Sequence, residues 1–193
     1  MRVTLIQPAI GHRANESYIR SWQMEPLPIA TLAGLTPSAV DLRFYDDRME
    51  KIPYDEPTDA VAIPVETYTA RRAYQIASKY RLKGVPVILG GFHPTLVPEE
   101  ALRFAEAIVT GEAESIWPEV IDDLYHNTLK RHYHGEAGSL SRILVNRELF
   151  LGKRYLPIGL VEIGRGCSFP CEFCSIQTFF SQSHRLRPIS LVI

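Results

Sequence analysis

Cysteine is scarce in this 193-residue sequence: there are 3, and all of them fall between positions 167 and 174. Neither sign of charge dominates. Lys and Arg number 21 against 22 Asp and Glu, a formal net charge of -1 with no basic run, so the electrostatic footprint of a nucleic-acid binder is missing. No apolar run reaches the roughly 18 residues of a membrane-spanning helix. The opening Met1-Arg2-Val3-Thr4-Leu5-Ile6 enters a strand directly, without the organisation of a signal peptide. Neither G-x-G-x-x-G nor a Walker A sequence occurs, which argues against dinucleotide and nucleoside triphosphate sites. Internal repeats and low-complexity tracts are absent as well. These absences lead to the expectation of a reducing, cytoplasmic setting, no membrane span and no nucleic-acid partner.

What is present reads as a folded α/β protein. The hydrophobic fraction of 46% and charged fraction of 22% are those of an ordinary globular chain. Strands are expected at Val3 to Ile10, Asp41 to Asp47, Ala60 to Val65, Val85 to Leu89 and Ala107 to Thr110, the third apolar on both faces as in a covered parallel sheet. Helices are expected from Pro26 or Pro28 to Leu35, from Thr69 to about Lys83, from Pro98, and from about Ile116 to Tyr125, with loops at Gly11 to Glu25 and Gly90 to Thr95. Alternation of this kind predicts a doubly wound sheet of flavodoxin-like order 2-1-3-4-5 over residues 1–127. Residues 128–155 read as a linker with Arg147, Lys153 and Arg154 exposed and an edge strand at Tyr133 to Gly135. Leu156 to Gly164 reads as a further buried strand, opening a third region, 156–193.

In open α/β sheets ligands bind beyond the carboxyl ends of the strands. Those ends supply Gln7 and Pro8 from the first strand, and Glu66, Thr67, Tyr68 and Thr69 from the third. Gly90, Gly91, Phe92, His93, Pro94 and Thr95 follow the fourth, and Thr110, Gly111 and Glu112 the fifth. The pair Gly90-Gly91 would let a bulky ligand approach the backbone, since no Cβ intervenes. Without a ligand, Glu112 and Glu114 are carboxylates favoured near a helix N-terminus, His93 caps a turn, and Arg72 and Arg81 belong to a solvated helix face.

The densest chemistry lies in Gly164-Arg165-Gly166-Cys167-Ser168-Phe169-Pro170-Cys171-Glu172-Phe173-Cys174. Three thiolates spaced C-x3-C-x2-C can converge on a soft metal centre. Three ligands are one short of a closed site, so an open position is implied. The alternatives are a zinc site completed by a histidine such as His184, or structural or disulfide cysteines, against which the odd count argues. The arrangement resembles the radical S-adenosylmethionine (SAM) family. That resemblance implies that Cys167, Cys171 and Cys174 hold three irons of a four-iron, four-sulfur cluster. The fourth iron would take SAM, and Phe173 would lie beside its adenine.

The segments Glu66 to Tyr74, Gly90 to Glu100 and Gly111 to Glu114 are similar to the cobalamin-binding domain found ahead of many radical SAM barrels. By this resemblance Gln7, Glu66, Thr67, Thr69, Gly90, Gly91, His93, Pro94, Thr110, Gly111 and Glu112 face cobalamin. The fold expected is then a five-stranded cobalamin-binding sheet followed by a truncated fragment of a radical SAM (β/α) barrel. The implied function is that of a cobalamin-dependent radical SAM enzyme, cleaving SAM reductively and transferring methyl to an unactivated carbon of a small-molecule substrate. Flavodoxin or ferredoxin would donate the electron. The alternatives are a cyclase or rearrangement enzyme of the same class, or a cobalamin-binding or partner-binding module.

Two departures stand out. The D-x-H-x-x-G motif of mutase-type cobalamin domains is absent: near His12, Ile10 and Asn15 stand where Asp and Gly would be. No lower histidine ligand is therefore expected. A barrel needs about 200 residues, and only 157–193 follow Leu156. The expectation is a truncated gene product unable alone to complete a SAM site, with an exposed strand in 156–193 prone to disorder or association; the alternative is a binding module whose barrel a partner chain supplies.

Overall fold

A computed structural model describes residues 1–10, 23–142, 145–181 and 183–191. Six parallel strands form its sheet: β1 (Arg2–Gln7), β2 (Asp41–Asp46), β3 (Ala60–Pro64), β4 (Val87–Gly90), β5 (Ala107–Gly111) and β6 (His132–Gly135), in the order β2-β1-β3-β4-β5-β6. The expected order thus holds, with the edge strand added beside β5, where Val109 pairs with Tyr133 and Gly111 with Gly135. Helices α1 (Leu27–Leu35) and α5 (Trp117–Tyr125) cover one face; α2 (Ala70–Arg81) covers the other. Alternate residues of each strand feed the two cores. Val3, Leu5, Ala60, Ala62 and Ile88 pack with Ile29, Trp117 and Val120, whereas Ile6, Val61, Ile63, Val87 and Leu89 pack with Ala73, Ile76 and Tyr80. Burial on both sides is what the continuous apolar strands demand.

Two expectations are corrected here. Gly90 to Thr95 is not a bare turn, because Phe92–Leu96 forms the short helix α3, followed by α4 (Pro98–Ala101). Arg72 is not free in solvent, since it grips Asp47 through Nε (2.7 Å) and Nη2 (2.6 Å), whereas Arg81 is exposed as expected and donates to Glu106 at the surface (2.7 Å). Residues 11–22, which hold His12 and most of the loop expected from Gly11 to Glu25, lie outside the described residues.

The stretch after β6 is more than a spacer. Phe150 is buried in the core with its ring against Phe44 (5.5 Å), and Asn146 donates its backbone N–H to Ala30 (2.9 Å). Tyr155 donates to the fully buried Asp46 (2.7 Å), which also accepts from Arg48. Arg147 pairs with Glu25 and Lys153 with Glu50 (2.5 Å), so neither is the free surface charge expected; Arg154 is exposed. This stretch straps the sheet.

Leu156 to Gly164 is not a buried strand. Residues 156–163 have no strand partner among the described residues, and Ile158, Val161 and Ile163 are exposed. The segment's backbone groups pair singly instead of in a ladder: Leu156 donates its N–H to the Gln23 carbonyl (2.9 Å), and the Ile163 carbonyl accepts from the Arg187 N–H (2.9 Å). The strand forms later: β7 (Gly164–Gly166) pairs antiparallel with β8 (His184–Leu186), and helix α6 (Ser175–Phe179) lies between them. A short 3-10 turn, Ile189–Leu191, follows β8.

Candidate functional site

The carboxyl ends of β3, β4 and β5 open into a cavity of about 230 Å³. Its floor is apolar, made by Ala62, Ile63, Ile88 and Val109, with Trp117 at the side. Its rim holds Glu66, Gly90, Gly91, Gly111, Glu112 and Glu114, and its far wall is Glu162, Arg165, Phe179 and Phe180 from the cysteine-bearing segment. The two sequence regions with candidate chemistry therefore meet at one hollow. Such a hollow at a strand-end rim is where an α/β sheet holds ligands.

Two glycines shape the rim by necessity. Gly91 has φ +99°, and a Cβ there would come within 3.1 Å of the Val65 backbone. Gly111 has φ +72°, and its Cβ would meet the Gly135 carbonyl at 2.1 Å. Both positions suit only glycine, since a side chain is strained at positive φ. The close approach at each is to the chain's own backbone.

Aromatic rings close the hollow. Phe179 stacks on Phe92 with centroids 4.2 Å apart, and Phe180 meets Phe92 edge-on at 6.0 Å. Neither Phe179 nor Phe180 was singled out in the sequence; a pair of phenylalanines just after a ligand loop was the available signal. The same holds for Trp117, Glu162 and Arg165.

Arg165 is the electrostatic hub of this wall. Its Nε donates to Glu162 (2.7 Å), Nη1 to Glu112 (2.9 Å) and Nη2 to Glu114 (2.5 Å). Burial works against the charge, yet the hydrogen bonds to Glu114 and Glu162 hold its pKa above the ordinary arginine value. Glu112 also accepts from Arg185. Glu66 stands apart, half-buried, with burial raising its carboxyl pKa and the nearby His93 acting in the opposite sense.

The remaining rim candidates do not line the hollow. His93 is buried, with Nε2 at 2.9 Å from the Tyr74 hydroxyl and 3.2 Å from Glu100, and Nδ1 at 3.4 Å from the Thr67 hydroxyl. Hydrogen bonds from His93 and Tyr74 hold the Glu100 carboxyl below its usual range. Thr69 caps the turn before α2 by donating to the Glu66 carbonyl (3.0 Å), and Pro94 is buried in α3. Thr110 lies within 2.8 Å of His132 and 3.0 Å of His134, joining β5 to β6. Gln7 ends β1, away from the lining.

Cys167, Cys171 and Cys174 are free thiols of intermediate burial, and Cys174 donates its backbone N–H to the Cys171 carbonyl (3.1 Å). Among the described residues no three His, Cys, Asp or Glu side chains gather closely enough to hold a single metal ion. The donor set still suits a cluster in kind and number, since each iron of a cluster takes its own thiolate and the ligands need not meet at one point. Phe173 projects from the loop 91% exposed. No helix among the described residues is long and apolar enough to cross a membrane.

No protein-family model matches the chain. Similarity is found instead to individual proteins. The chain is 32% identical over 178 residues to the bacteriochlorophyllide d C-8(2)-methyltransferase of Chlorobaculum tepidum, a match covering 86% of this chain and 39% of that protein. It is 30% identical over 176 residues to the bacteriochlorophyllide d C-12(1)-methyltransferase of the same organism, covering 87% and 39%. An uncharacterized methyltransferase of Pyrococcus horikoshii is 27% identical over 202 residues, covering 87% and 44%. The chain thus spans well under half the length of the methyltransferases it resembles, and nearly all of its own length takes part in the likeness.

Proposed function

We propose that this chain carries the cofactor-facing part of a cobalamin-dependent radical SAM methyltransferase: a corrin-facing sheet rim, and a ligand loop for a four-iron, four-sulfur cluster. The observation that carries this reading is the shared hollow, whose far wall belongs to the segment bearing Cys167, Cys171 and Cys174. Similarity to methyltransferases supports methyl transfer as the reaction. The names of two relatives suggest a tetrapyrrole as the class of methyl acceptor. The chain would divide into 1–127, 128–155 and 156–193, the middle segment lending β6 to the sheet and then acting as a strap.

Bound cofactors would supply an electron for SAM cleavage and a methyl group for transfer; the protein binds, orients and excludes water. Cys167, Cys171 and Cys174 would hold the cluster, with Phe173 free to cover the SAM adenine. Gly90, Gly91, Gly111 and Glu66 would border the corrin, while Phe92, Phe179 and Phe180 keep water from the hollow. Glu66, whose half-burial makes its carboxyl easier to protonate than an exposed one, would place a polar group on this otherwise glycine-lined border.

The test is anaerobic reconstitution of the chain with iron, sulfide and hydroxocobalamin, followed by gel filtration. Iron and sulfide bound to the three-cysteine chain but lost from a Cys167→Ala variant, with corrin absorbance co-eluting, is the expected result. Zinc in place of iron, with no retained corrin, would sink the reading. The ungathered thiols favour a second reading, a cobalamin-binding module without activity of its own; corrin retained without iron is its signature.

A further inference from the structure

β7 and β8 each carry an arginine at directly opposed positions, Arg165 and Arg185. Like charges across an antiparallel pair destabilise it, and three-residue strands have little else to hold them together. The compensating charge comes from the sheet. Glu112, immediately after β5 and with only 7% of its side chain exposed, accepts from Arg165 through Oε2 (2.9 Å) and from Arg185 through Oε1. Among the described residues, Glu114 and Glu162 pair with Arg165 and not with Arg185. Arg185 otherwise donates through Nη1 to the Gly138 carbonyl (2.5 Å), and its buried Nε has no partner among the described residues.

We propose that Glu112 is the positioning residue of the cysteine loop: its carboxylate closes β7 on β8 and seats the hairpin over the cavity in one step. Cys167, Cys171 and Cys174 all lie between these two strands, so the hairpin sets the loop's base. Neutralising Glu112 leaves Arg185 without a carboxylate facing Arg165, and both hairpin closure and docking are lost together. This gives a duty at the rim to a residue that sequence reasoning assigned to corrin contact. Its functional meaning rests on the reading of the loop as a cluster loop; its physical content does not.

The test uses the full chain, reduced and free of metal, and follows the rate at which an aromatic disulfide reagent modifies the three thiols under native conditions. Glu112→Gln should raise that rate about tenfold by populating the undocked loop. Adding Arg185→Leu should return the rate most of the way to wild type, because the opposed cation is gone; a merely packing role for Glu112 predicts instead that the two losses add. A wild-type rate in Glu112→Gln, or a double variant at or above the single, overturns the proposal. Should Glu112→Gln not fold, amide exchange at Gly164–Gly166 in Glu112→Asp carries the same question. The shorter carboxylate cannot reach both guanidiniums, so exchange should rise about tenfold, and unchanged exchange overturns the proposal. None of these readouts needs iron or cobalamin, so failure of the cofactor reading would show separately, as absent iron in reconstituted wild type.

Discussion

Among the described residues Glu66 is the rim carboxylate without a guanidinium partner, and burial makes it easier to protonate in the folded chain than in the unfolded one. Such a group contributes stability below its ordinary pKa and loses it as the pH rises through its folded pKa. Glu66→Gln, uncharged at every pH, should therefore be more stable than wild type at pH 7 in urea denaturation. That advantage should shrink as the pH falls through the carboxylate range, and a constant difference would mean the carboxyl is fully solvated. Gly111 tests the backbone. With φ +72° and the Gly135 carbonyl 2.1 Å from where a Cβ would sit, Gly111→Ala should cost at least about 2 kcal/mol, read from the urea midpoint. Gly111 and Glu112 were legible from the sequence as rim residues. What the glycine was for was not legible, because the neighbour that excludes a Cβ, Gly135, is 24 positions away on a strand of its own.

At the scale of elements, the strap from Asn146 to Tyr155 shows how polar segments hide structure. Arg147, Lys153 and Arg154 make it look like a solvated linker, yet Phe150 enters the core and Tyr155 reaches Asp46. A single buried aromatic carries no periodicity, so no window of sequence reveals it. Phe150→Ala should lower stability by about 3 to 5 kcal/mol, with the urea midpoint falling and the slope unchanged. A loss under about 1 kcal/mol, the level of an exposed site, would mean the strap is not docked in solution. The reverse error occurred at Leu156 to Gly164. Its apolar residues satisfy a strand pattern, but a pattern supplies no partner strand, and pairing forms only where β8 returns to β7.

At the scale of the whole molecule, the hollow of about 230 Å³ is small beside the roughly 300–1,000 Å³ of typical ligand pockets. Under the proposed function, a corrin would enter past Phe179 and Phe180, which rest against Phe92. The double variant Phe179→Ala with Phe180→Ala should take up hydroxocobalamin about tenfold faster than wild type, since binding that awaits a conformational change is slowed. The visible spectrum follows it, and equal rates would mean that the rings do not guard the entrance.

The sequence by itself determined the sheet, because strand-helix alternation and two-sided apolar strands are local signals that right-handed crossovers convert into one topology. It also determined the donor chemistry, since Cys167, Cys171 and Cys174 are neighbours along the chain. Only the tertiary structure decided that the cysteine segment walls the strand-end hollow, that His93 is bonded away from it, and that Glu112 bridges two arginines. The contact of Glu112 with Arg185 alone joins residues 73 positions apart. Burial and charge pairing between distant segments depend on how layers pack, and no local pattern records that.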